Sequence, residues 1–237
     1  MRRETLVLIP GTLCDGTLFA HQVAGLSDLA DCRVADSSVA DELGAAAEAV
    51  LAGVTGRFAL LGLSYGGIIA FEIMRRAPQR VSRLILLNTN FMRPYDSTRA
   101  NQERWVGMAC LGRFDEVTTD ILTDLMLHPD HARDPAMRAA VLDMARSVGV
   151  AGFVRQVKAQ LGRPDSRADL PGIACPTLLI AGREDRVCPV GLHEEMAALI
   201  PGAHLEVIAQ CGHLSTLEQP ERVTRCIRTW WQDQTTP

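Results

Sequence analysis

Short apolar runs alternate with longer stretches of helical periodicity through the first part of the chain. The intervening segments 39–51 and 65–77 have the apolar spacing of helices, and the first of them is rich in alanine. Strands that alternate with helices predict a parallel sheet that is covered by helices on both faces. The apolar runs that indicate strands are residues 6–9, 32–35, 57–61 and 83–87.

The pattern changes between residues 94 and 169, where three helical patterns replace the β runs. In the middle pattern, Val117, Ile121 and Leu125 recur at four-residue spacing and form one apolar stripe. After residue 169 the alternation returns in two strands and two helices, which the sequence places at 176–181, 190–200, 204–209 and 215–231.

These patterns predict the α/β fold class, a mostly parallel sheet with helices on both faces. We expect one domain, since 237 residues can bury a sizeable core. Residues 1–93 and 170–237 would form the core of that domain. Residues 94–169, hereafter the helical insertion, would lie before the last two strands, over one end of the sheet.

Composition and charge narrow the functional class. The chain is 47% apolar and 22% charged, which is ordinary for a soluble globular protein. Its net charge of −4 gives no reason to expect nucleic acid or an anionic membrane as a partner. The first apolar run is too short for a signal peptide, and no run approaches the length of a membrane span. We therefore expect a protein that binds a small molecule, as a monomer or a homodimer.

The cysteine content predicts a cytoplasmic location. Seven cysteines are an odd number, and they lack paired short spacing, so free thiols in a reducing cytoplasm are the expectation. Cys14, Cys188 and Cys211 lie in predicted loops at one edge of the sheet, where a histidine could complete a zinc site. Without Cys-x-x-Cys spacing, we interpret them as small apolar fillers and expect neither a metal nor a cofactor.

Residues 62–67, Gly-Leu-Ser-Tyr-Gly-Gly, follow an apolar strand directly and precede a helical stretch. A Gly-x-Ser-x-Gly sequence in this context is typical of a sharp turn that exposes a nucleophilic serine at the carboxyl edge of a sheet. Ser64 would need a strained backbone there, and Gly62 and Gly66 would avoid clashes because they have no Cβ. The serine hydroxyl needs a neighbouring base, and the base needs a group that fixes its tautomer.

Asp185 and His213 are the predicted partners of Ser64. Each follows a later strand by a short loop, and the carboxyl ends of parallel strands share one edge, so the three side chains should converge. Their order along the chain, Ser, Asp, His, is the order that this architecture requires. Glu184 could also supply the acid, but Asp185 is the better placed. The end of the fourth strand carries Asn88, which cannot hold the charge.

An acyl-transfer serine also needs N–H donors for the oxyanion. The N–H of Tyr65, at the start of the helix that follows Ser64, would supply one donor. The loop after the first strand, residues 10–16, should supply the second, and Gly11 allows it to turn toward the substrate. Thr12 N–H is the predicted donor, with Leu13 as a neighbour that could share the role.

Four segments, 6–19, 62–67, 175–189 and 211–220, occur in the order found in the α/β-hydrolase superfamily, which the chain resembles over nearly its whole length. It is most similar to the cofactor-free, lid-bearing branch of small bacterial carboxylesterases and ester or lactone hydrolases. The resemblance implies a catalytic triad of Ser64, Asp185 and His213. It also implies oxyanion donors at Thr12 and Tyr65 and a lid formed by residues 94–169. Pro10 departs from the His-Gly pair that many relatives carry in the oxyanion loop.

The sequence therefore predicts a serine hydrolase that cleaves small to medium carboxylic esters through an acyl-serine. A lactonase, including one for acyl-homoserine lactones, an acyl thioesterase or a carbon–carbon bond hydrolase could use the same triad. A non-catalytic binding protein of the same fold would usually lack a triad residue, and none is missing. An acyl pocket or a lid core could equally be formed by four residues of the helical insertion: Trp105, Met108, Met126 and Met144.

Overall fold

A computed structural model describes residues 3–234. In that part of the chain, six strands form a single sheet with the order β2-β1-β3-β4-β5-β6, and every neighbouring pair is parallel. All strand carboxyl ends therefore lie at one edge. The strands are β1 (Glu4–Ile9), β2 (Ala30–Val34), β3 (Phe58–Leu63), β4 (Val81–Leu87), β5 (Thr177–Gly182) and β6 (His204–Ile208).

Helices connect the strands and cover both faces of the sheet. None of the helices between residues 3 and 234 is long and apolar enough to cross a membrane. Short 3-10 turns lie at Gly16–Phe19, Pro78–Arg80, His131–Arg133 and Arg167–Gly172, and a wider π-helical segment at Thr119–Met126. The α-helices are α1 (Ala20–Gly25), α2 (Leu43–Ala52), α3 (Tyr65–Arg76), α4 (Asp96–Cys110), α5 (Phe114–Thr118), α6 (Pro135–Leu161), α7 (Val190–Leu199), α8 (Ser215–Glu218) and α9 (Pro220–Asp233).

The sheet separates two apolar clusters. Alternate residues of a strand point to opposite faces, so Leu8 of β1 packs with α1 and α9, whereas Ile9 packs with α2, α3 and α7. Strands β3 and β5 are buried along their whole length, as expected for central strands covered on both sides. This burial explains why their sequences are continuous apolar runs.

The chain between β4 and β5 is helical, as the sequence predicted. Most of its buried apolar side chains belong to the same cluster as one face of the sheet, where Val117, Val141 and Phe153 join Leu61 and Ile85. Helix α6 is interrupted once, at Gly149, whose φ of +67° lies outside the helical region. The helical insertion is thus packed onto the core of the protein.

The helices differ from the sequence prediction in two places. The closing helix, predicted as one element over 215–231, is divided at Gln219, whose φ is −136°. Pro220 begins α9 because proline suits a first helical position and cannot continue a preceding helix. The sequence pattern also assigned no helix between the first two strands, where the structure has the turn at Gly16–Phe19 and helix α1. Asp15 begins this region by accepting a hydrogen bond from Thr17 N–H at 2.9 Å.

His193 of α7 links that helix to the end of β4. Its ring is fully buried, and Nε2 accepts a hydrogen bond from Thr89 N–H at 3.2 Å. Burial lowers the pKa of His193 to about 4. The side chain is therefore neutral in the folded protein at pH 7, whereas it titrates near 6.5 when unfolded.

We expect this residue to make the fold sensitive to acid. Between pH 6.5 and 4 the unfolded chain binds a proton at His193 that the folded chain does not, so stability falls as the pH falls. The slope is about 1.4 kcal/mol per pH unit. The His193→Gln variant keeps an acceptor for Thr89 N–H but does not titrate, so its urea midpoint should vary less over this range. Equal slopes for the two proteins would contradict the assignment.

Candidate active site

Ser64 forms the turn between β3 and α3. Its backbone has φ 55° and ψ −116°, and its N–H donates to the Leu87 carbonyl at 3.0 Å. A Cβ at Gly66 would overlap the Ile9 carbonyl, and one at Gly62 would overlap the backbone of Gly66. The two glycines therefore allow α3 to start directly against β1 and β3, which leaves the Ser64 side chain at the edge of the sheet.

His213 lies between Ser64 and Asp185. Its Nε2 is 2.8 Å from Ser64 Oγ, and its Nδ1 is 2.8 Å from Asp185 Oδ2. Because a carboxylate can only accept, Nδ1 carries the proton and Nε2 accepts from the serine hydroxyl. The side chains of His213 and Asp185 are fully buried, and Ser64 is partly exposed. The loops after β3, β5 and β6 thus bring the three predicted catalytic residues into one hydrogen-bonded chain.

Asp185 is held by donors on both oxygens. Oδ1 accepts the N–H groups of Val187 and Cys188 at 2.8 and 2.9 Å, and Oδ2 accepts from Asn88 as well as from His213. Burial acts to raise the pKa of Asp185, but the charge of His213 and these hydrogen bonds outweigh it, and the net shift is downward. The carboxylate is therefore ionised at neutral pH and fixes the histidine tautomer.

Asn88 has a role that the sequence did not reveal. From the sequence it was noted only as a residue that cannot serve as the acid, whereas its Nδ2 donates to Asp185 Oδ2 at 2.9 Å and to the Gly212 carbonyl at 3.2 Å. Glu184, the alternative acid, instead accepts Cys211 N–H at 2.9 Å. Both side chains therefore fix the loop that carries His213. Placement at the end of the central strand β4 was the only sequence signal for Asn88.

The loop after β1 approaches Ser64 closely, since a Cβ at Gly11 would lie 3.2 Å from Ser64 Cβ. Thr12 faces the same cavity as Ser64. The N–H of Tyr65 occupies the first position of α3, where a helix offers no intrahelical acceptor. Leu13 is different, because its N–H already donates to Gln156 Oε1 at 3.0 Å. The expectation that Leu13 could share the oxyanion role is therefore corrected.

Two glutamines of α6 hold this loop. Gln156 is fully buried and also donates to Ser37 Oγ at 3.0 Å, while Gln160 Nε2 donates to Thr12 Oγ1 at 2.8 Å. Neither glutamine was predicted as part of the site. The only available signal was a pair of polar residues at four-residue spacing, which is equally typical of a solvated helix face.

A cavity of about 290 Å³ opens at Ser64 between the sheet edge and the helical insertion. Trp105 and Met126 line it, as the sequence suggested. Met108 and Met144 are not among the described residues that line it. Met144 is buried in the apolar cluster beneath the helical insertion, and Met108 packs against the same cluster. For these two methionines the lid-core interpretation applies.

The loop of His213 is also bonded to the helical insertion. His213 N–H donates to the Met126 carbonyl at 2.7 Å. The buried carboxylate of Glu218 accepts from Leu214 N–H at 3.1 Å and from His128 N–H at 2.7 Å. It also lies 2.8 Å from the His131 ring. The insertion therefore contacts both the loop after β1 and the loop that carries His213.

Among the described residues, one group of side chains brings three potential metal-ligand atoms close together. Ligand atoms of Asp185, Cys188 and His213 lie within 4.8 Å of one another. Burial, followed by the charge of Asp185, raises the pKa of the Cys188 thiol well above its usual value, and burial raises that of Cys14 to about 12. The thiols are therefore neutral. Both ring nitrogens of His213 are already hydrogen-bonded, so binding an ion would break its bond to Asp185 or its bond to Ser64.

The close packing at Gly66 gives a direct test. Gly66→Ala would force the start of α3 away from Ile9 and should lower the free energy of unfolding by about 3 kcal/mol. Gly107 of α4 is a matched control, because a Cβ there meets nothing within 4 Å. Gly107→Ala should raise stability by up to about 1 kcal/mol. Denaturant unfolding of the two variants measures both effects. Equal stability of Gly66→Ala and the parent protein would contradict the packing.

Comparison with known proteins gives the family. The sequence profile of the Alpha/beta hydrolase family matches residues 6–225. The pimeloyl-[acyl-carrier protein] methyl ester esterase of Nitrosomonas europaea is 28% identical over 211 residues, which are 87% of this chain and 82% of that protein. The 2-hydroxymuconate semialdehyde hydrolase of Pseudomonas putida is 28% identical over 180 residues, which are 72% of this chain but 61% of that protein.

Solved structures agree with this match. A thermophilic esterase from Thermogutta terrifontis superposes with a TM-score of 0.89 at 26% identity and covers 99% of this chain and 92% of its own. The enol-lactonase from Burkholderia xenovorans has a TM-score of 0.86 at 20% identity, over 98% of this chain and 92% of its own, a likeness of fold alone. The predicted parallel sheet with helices on both faces is confirmed. Since the family profile spans most of the sequence, the chain belongs to the alpha/beta hydrolase family.

Proposed function

We propose that the protein hydrolyses small to medium carboxylic esters through an acyl-serine at Ser64. The observation that carries the proposal is the continuous hydrogen-bonded chain from Asp185 through His213 to Ser64, with 2.8 Å at both contacts of the imidazole. The serine end of that chain faces a cavity, and the acid end is buried. This is the arrangement that activates a serine for attack on a carbonyl carbon.

In the first half-reaction, His213 Nε2 takes the proton of Ser64 Oγ as the oxygen bonds to the ester carbonyl carbon. The carbonyl oxygen becomes an oxyanion, which the N–H groups of Thr12 and Tyr65 would bind. Collapse of this intermediate breaks the bond to the alcohol, and His213 delivers the proton to the departing alkoxide. Asp185 stabilises the imidazolium while it carries the second proton.

In the second half-reaction, water replaces the alcohol. His213 takes a proton from the water, whose oxygen attacks the acyl-serine carbonyl at the same oxyanion site. Breaking the bond to Ser64 Oγ then releases the carboxylic acid, and the proton returns from His213 to the serine. No cofactor takes part in this scheme.

The helical insertion would act as the lid of this site, on a single core domain formed by residues 1–93 and 170–237. Its side chains supply much of the cavity wall, among them Trp105, Ile121 and Phe153. The space for the acyl and alcohol groups would therefore be set by the insertion. A small-molecule ester or lactone fits this cavity, and neither nucleic acid nor a membrane is needed.

Ester hydrolysis is favoured over the other reactions of the same triad. The two esterases named above cover more of this chain than the 2-hydroxymuconate semialdehyde hydrolase does, at similar identity. A lactone or thioester could enter the same cavity and would be attacked in the same way. A binding protein without catalysis is disfavoured, because the serine, histidine and aspartate are all in hydrogen-bonding contact.

The first test is hydrolysis of p-nitrophenyl esters from acetate to laurate by the parent protein and by Ser64→Ala. We expect the variant to lose about 10⁴-fold or more in kcat, because the nucleophile is absent. The preferred chain length measures the cavity. Circular dichroism should show that the variant keeps the parent fold. Comparable turnover by folded Ser64→Ala would exclude the proposed mechanism.

A second test concerns the oxyanion loop. Gln156→Leu leaves Leu13 N–H without an acceptor, so the adjoining Thr12 amide should lose its fixed direction. We expect kcat to fall about tenfold, a fraction of the effect of removing an oxyanion donor outright. KM should change little, because Gln156 is not among the described cavity-lining residues.

Gln156→Glu is the matched control, since it keeps the acceptor for Leu13 N–H and should recover much of kcat. Steady-state kinetics with the best p-nitrophenyl ester separates the two constants. A change in KM alone, or equal losses in the two variants, would argue against a positioning role.

A further inference from the structure

The cavity at Ser64 is lined by cationic but not by acidic side chains. Arg93, Arg163 and Arg186 line it, whereas none of its described lining residues is Asp, Glu or Lys. This contrasts with the whole chain, whose net charge is −4. Arg93 and Arg186 are exposed, so their charges are largely solvated. Arg163 differs from both, because it is only 9% exposed and its charge is therefore poorly solvated.

Arg163 follows the end of α6. Its Nε donates to the Met92 carbonyl at 2.8 Å, and its Nη1 donates to the Gln160 carbonyl at 3.0 Å. A guanidinium has five N–H donors, so these two bonds leave three donors without a protein acceptor among residues 3–234. The unused donors are on Nη1 and Nη2, at the end of the side chain.

The charge of Arg163 has no counter-ion in the described part of the protein. Its contacts are to two neutral carbonyls, and no described carboxylate lies within ion-pair distance. Burial lowers the pKa of Arg163 to about 10, so the group is still a cation at neutral pH. A buried charge is costly unless it is paired and hydrogen-bonded. An anion that entered the cavity would supply both.

We propose that the substrate is an ester that carries a free carboxylate, and that Arg163 binds this carboxylate while Ser64 attacks the ester carbonyl. This inference rests on the proposed ester hydrolysis and names its substrate class. A planar guanidinium donates to both oxygens of a carboxylate, which suits its remaining N–H groups. The exposed Arg93 and Arg186 would attract the anion toward the cavity.

A purely structural role for Arg163 predicts something different. If the side chain only joined the Met92 and Gln160 carbonyls, its removal would affect charged and neutral substrates alike. Binding of a carboxylate instead predicts a change in selectivity. The ratio of kcat/KM for matched charged and neutral esters is therefore the informative quantity.

Two ester pairs place the charge on either side of the scissile bond. Monomethyl adipate and methyl hexanoate differ only by a carboxylate in place of a methyl group at the end of the acyl chain. 5-Acetoxypentanoate and pentyl acetate differ in the same way in the alcohol. We expect the parent protein to prefer the charged member of at least one pair by about tenfold or more. Preference for the neutral member of both pairs would overturn the proposal.

Substitution of Arg163 completes the test. Arg163→Met and Arg163→Gln should reduce the charged-to-neutral ratio of the preferred pair by about tenfold or more. Arg146→Gln is the matched control: Arg146 lies on α6, is exposed, pairs with Asp143 at 2.8 Å and is not among the described cavity-lining residues. This control should keep the parent ratio. A folded Arg163 variant that also keeps it would contradict the proposal, and if neither variant folds, the parent ratio decides.

A binding measurement separates this inference from the proposed function. Calorimetric titration of Ser64→Ala protein with monomethyl adipate and with methyl hexanoate requires no turnover. Tighter binding of the charged ester, by about tenfold, supports the anion site even if the parent protein hydrolyses none of the four esters. If the protein hydrolyses only the neutral esters and binds both probes equally, the proposed esterase function stands and the anion site is excluded.

Discussion

The site depends on a steric constraint at the turn between β3 and α3. Ser64 can adopt its positive φ because Gly62 and Gly66 leave room for the backbone of α3 to begin against Ile9. The same close approach places the first N–H of α3 beside the serine, and the loop after β1 comes so near that a Cβ at Gly11 would lie 3.2 Å from Ser64 Cβ. The same packing therefore positions Ser64, the N–H of Tyr65 and the loop after β1, which are the nucleophile, one oxyanion donor and the neighbouring loop of the proposed mechanism. A strained backbone of this kind is retained only where several surrounding contacts hold it in place.

The helical insertion covers the carboxyl edge of the sheet at Ser64 and is also hydrogen-bonded to the two loops beside it. From one side, Gln156 and Gln160 bind the oxyanion loop. From the other side, the Met126 carbonyl accepts His213 N–H, and Glu218 joins the histidine loop to the backbone of His128. The helical insertion lines the cavity at Ser64 and is also hydrogen-bonded to the loops that carry Thr12 and His213. A substitution that alters the cavity wall can therefore change rate as well as substrate choice.

Much of this architecture could be predicted from the sequence because it depends on local signals and on chain order. The strands are apolar runs, and the meeting of Ser64, Asp185 and His213 follows from the shared carboxyl edge of parallel strands. Contacts that the insertion makes with the rest of the chain could not be predicted in this way. The bond between Leu13 and Gln156 joins distant parts of the chain, and Met144 faces the core because of how α6 packs. Asn88 was found at the correct edge, but its hydrogen bonds to Asp185 and Gly212 are a property of side-chain geometry.

The central claim is that Ser64 is an activated nucleophile. It is tested most directly by incubating the protein with a fluorophosphonate and mapping the adduct by mass spectrometry, with Asp185→Asn protein as the comparison. We expect a single covalent adduct on Ser64, formed much more slowly in the variant because the amide no longer stabilises the imidazolium. Absence of an adduct on Ser64 in the folded parent protein, or an equal labelling rate in Asp185→Asn, would contradict it.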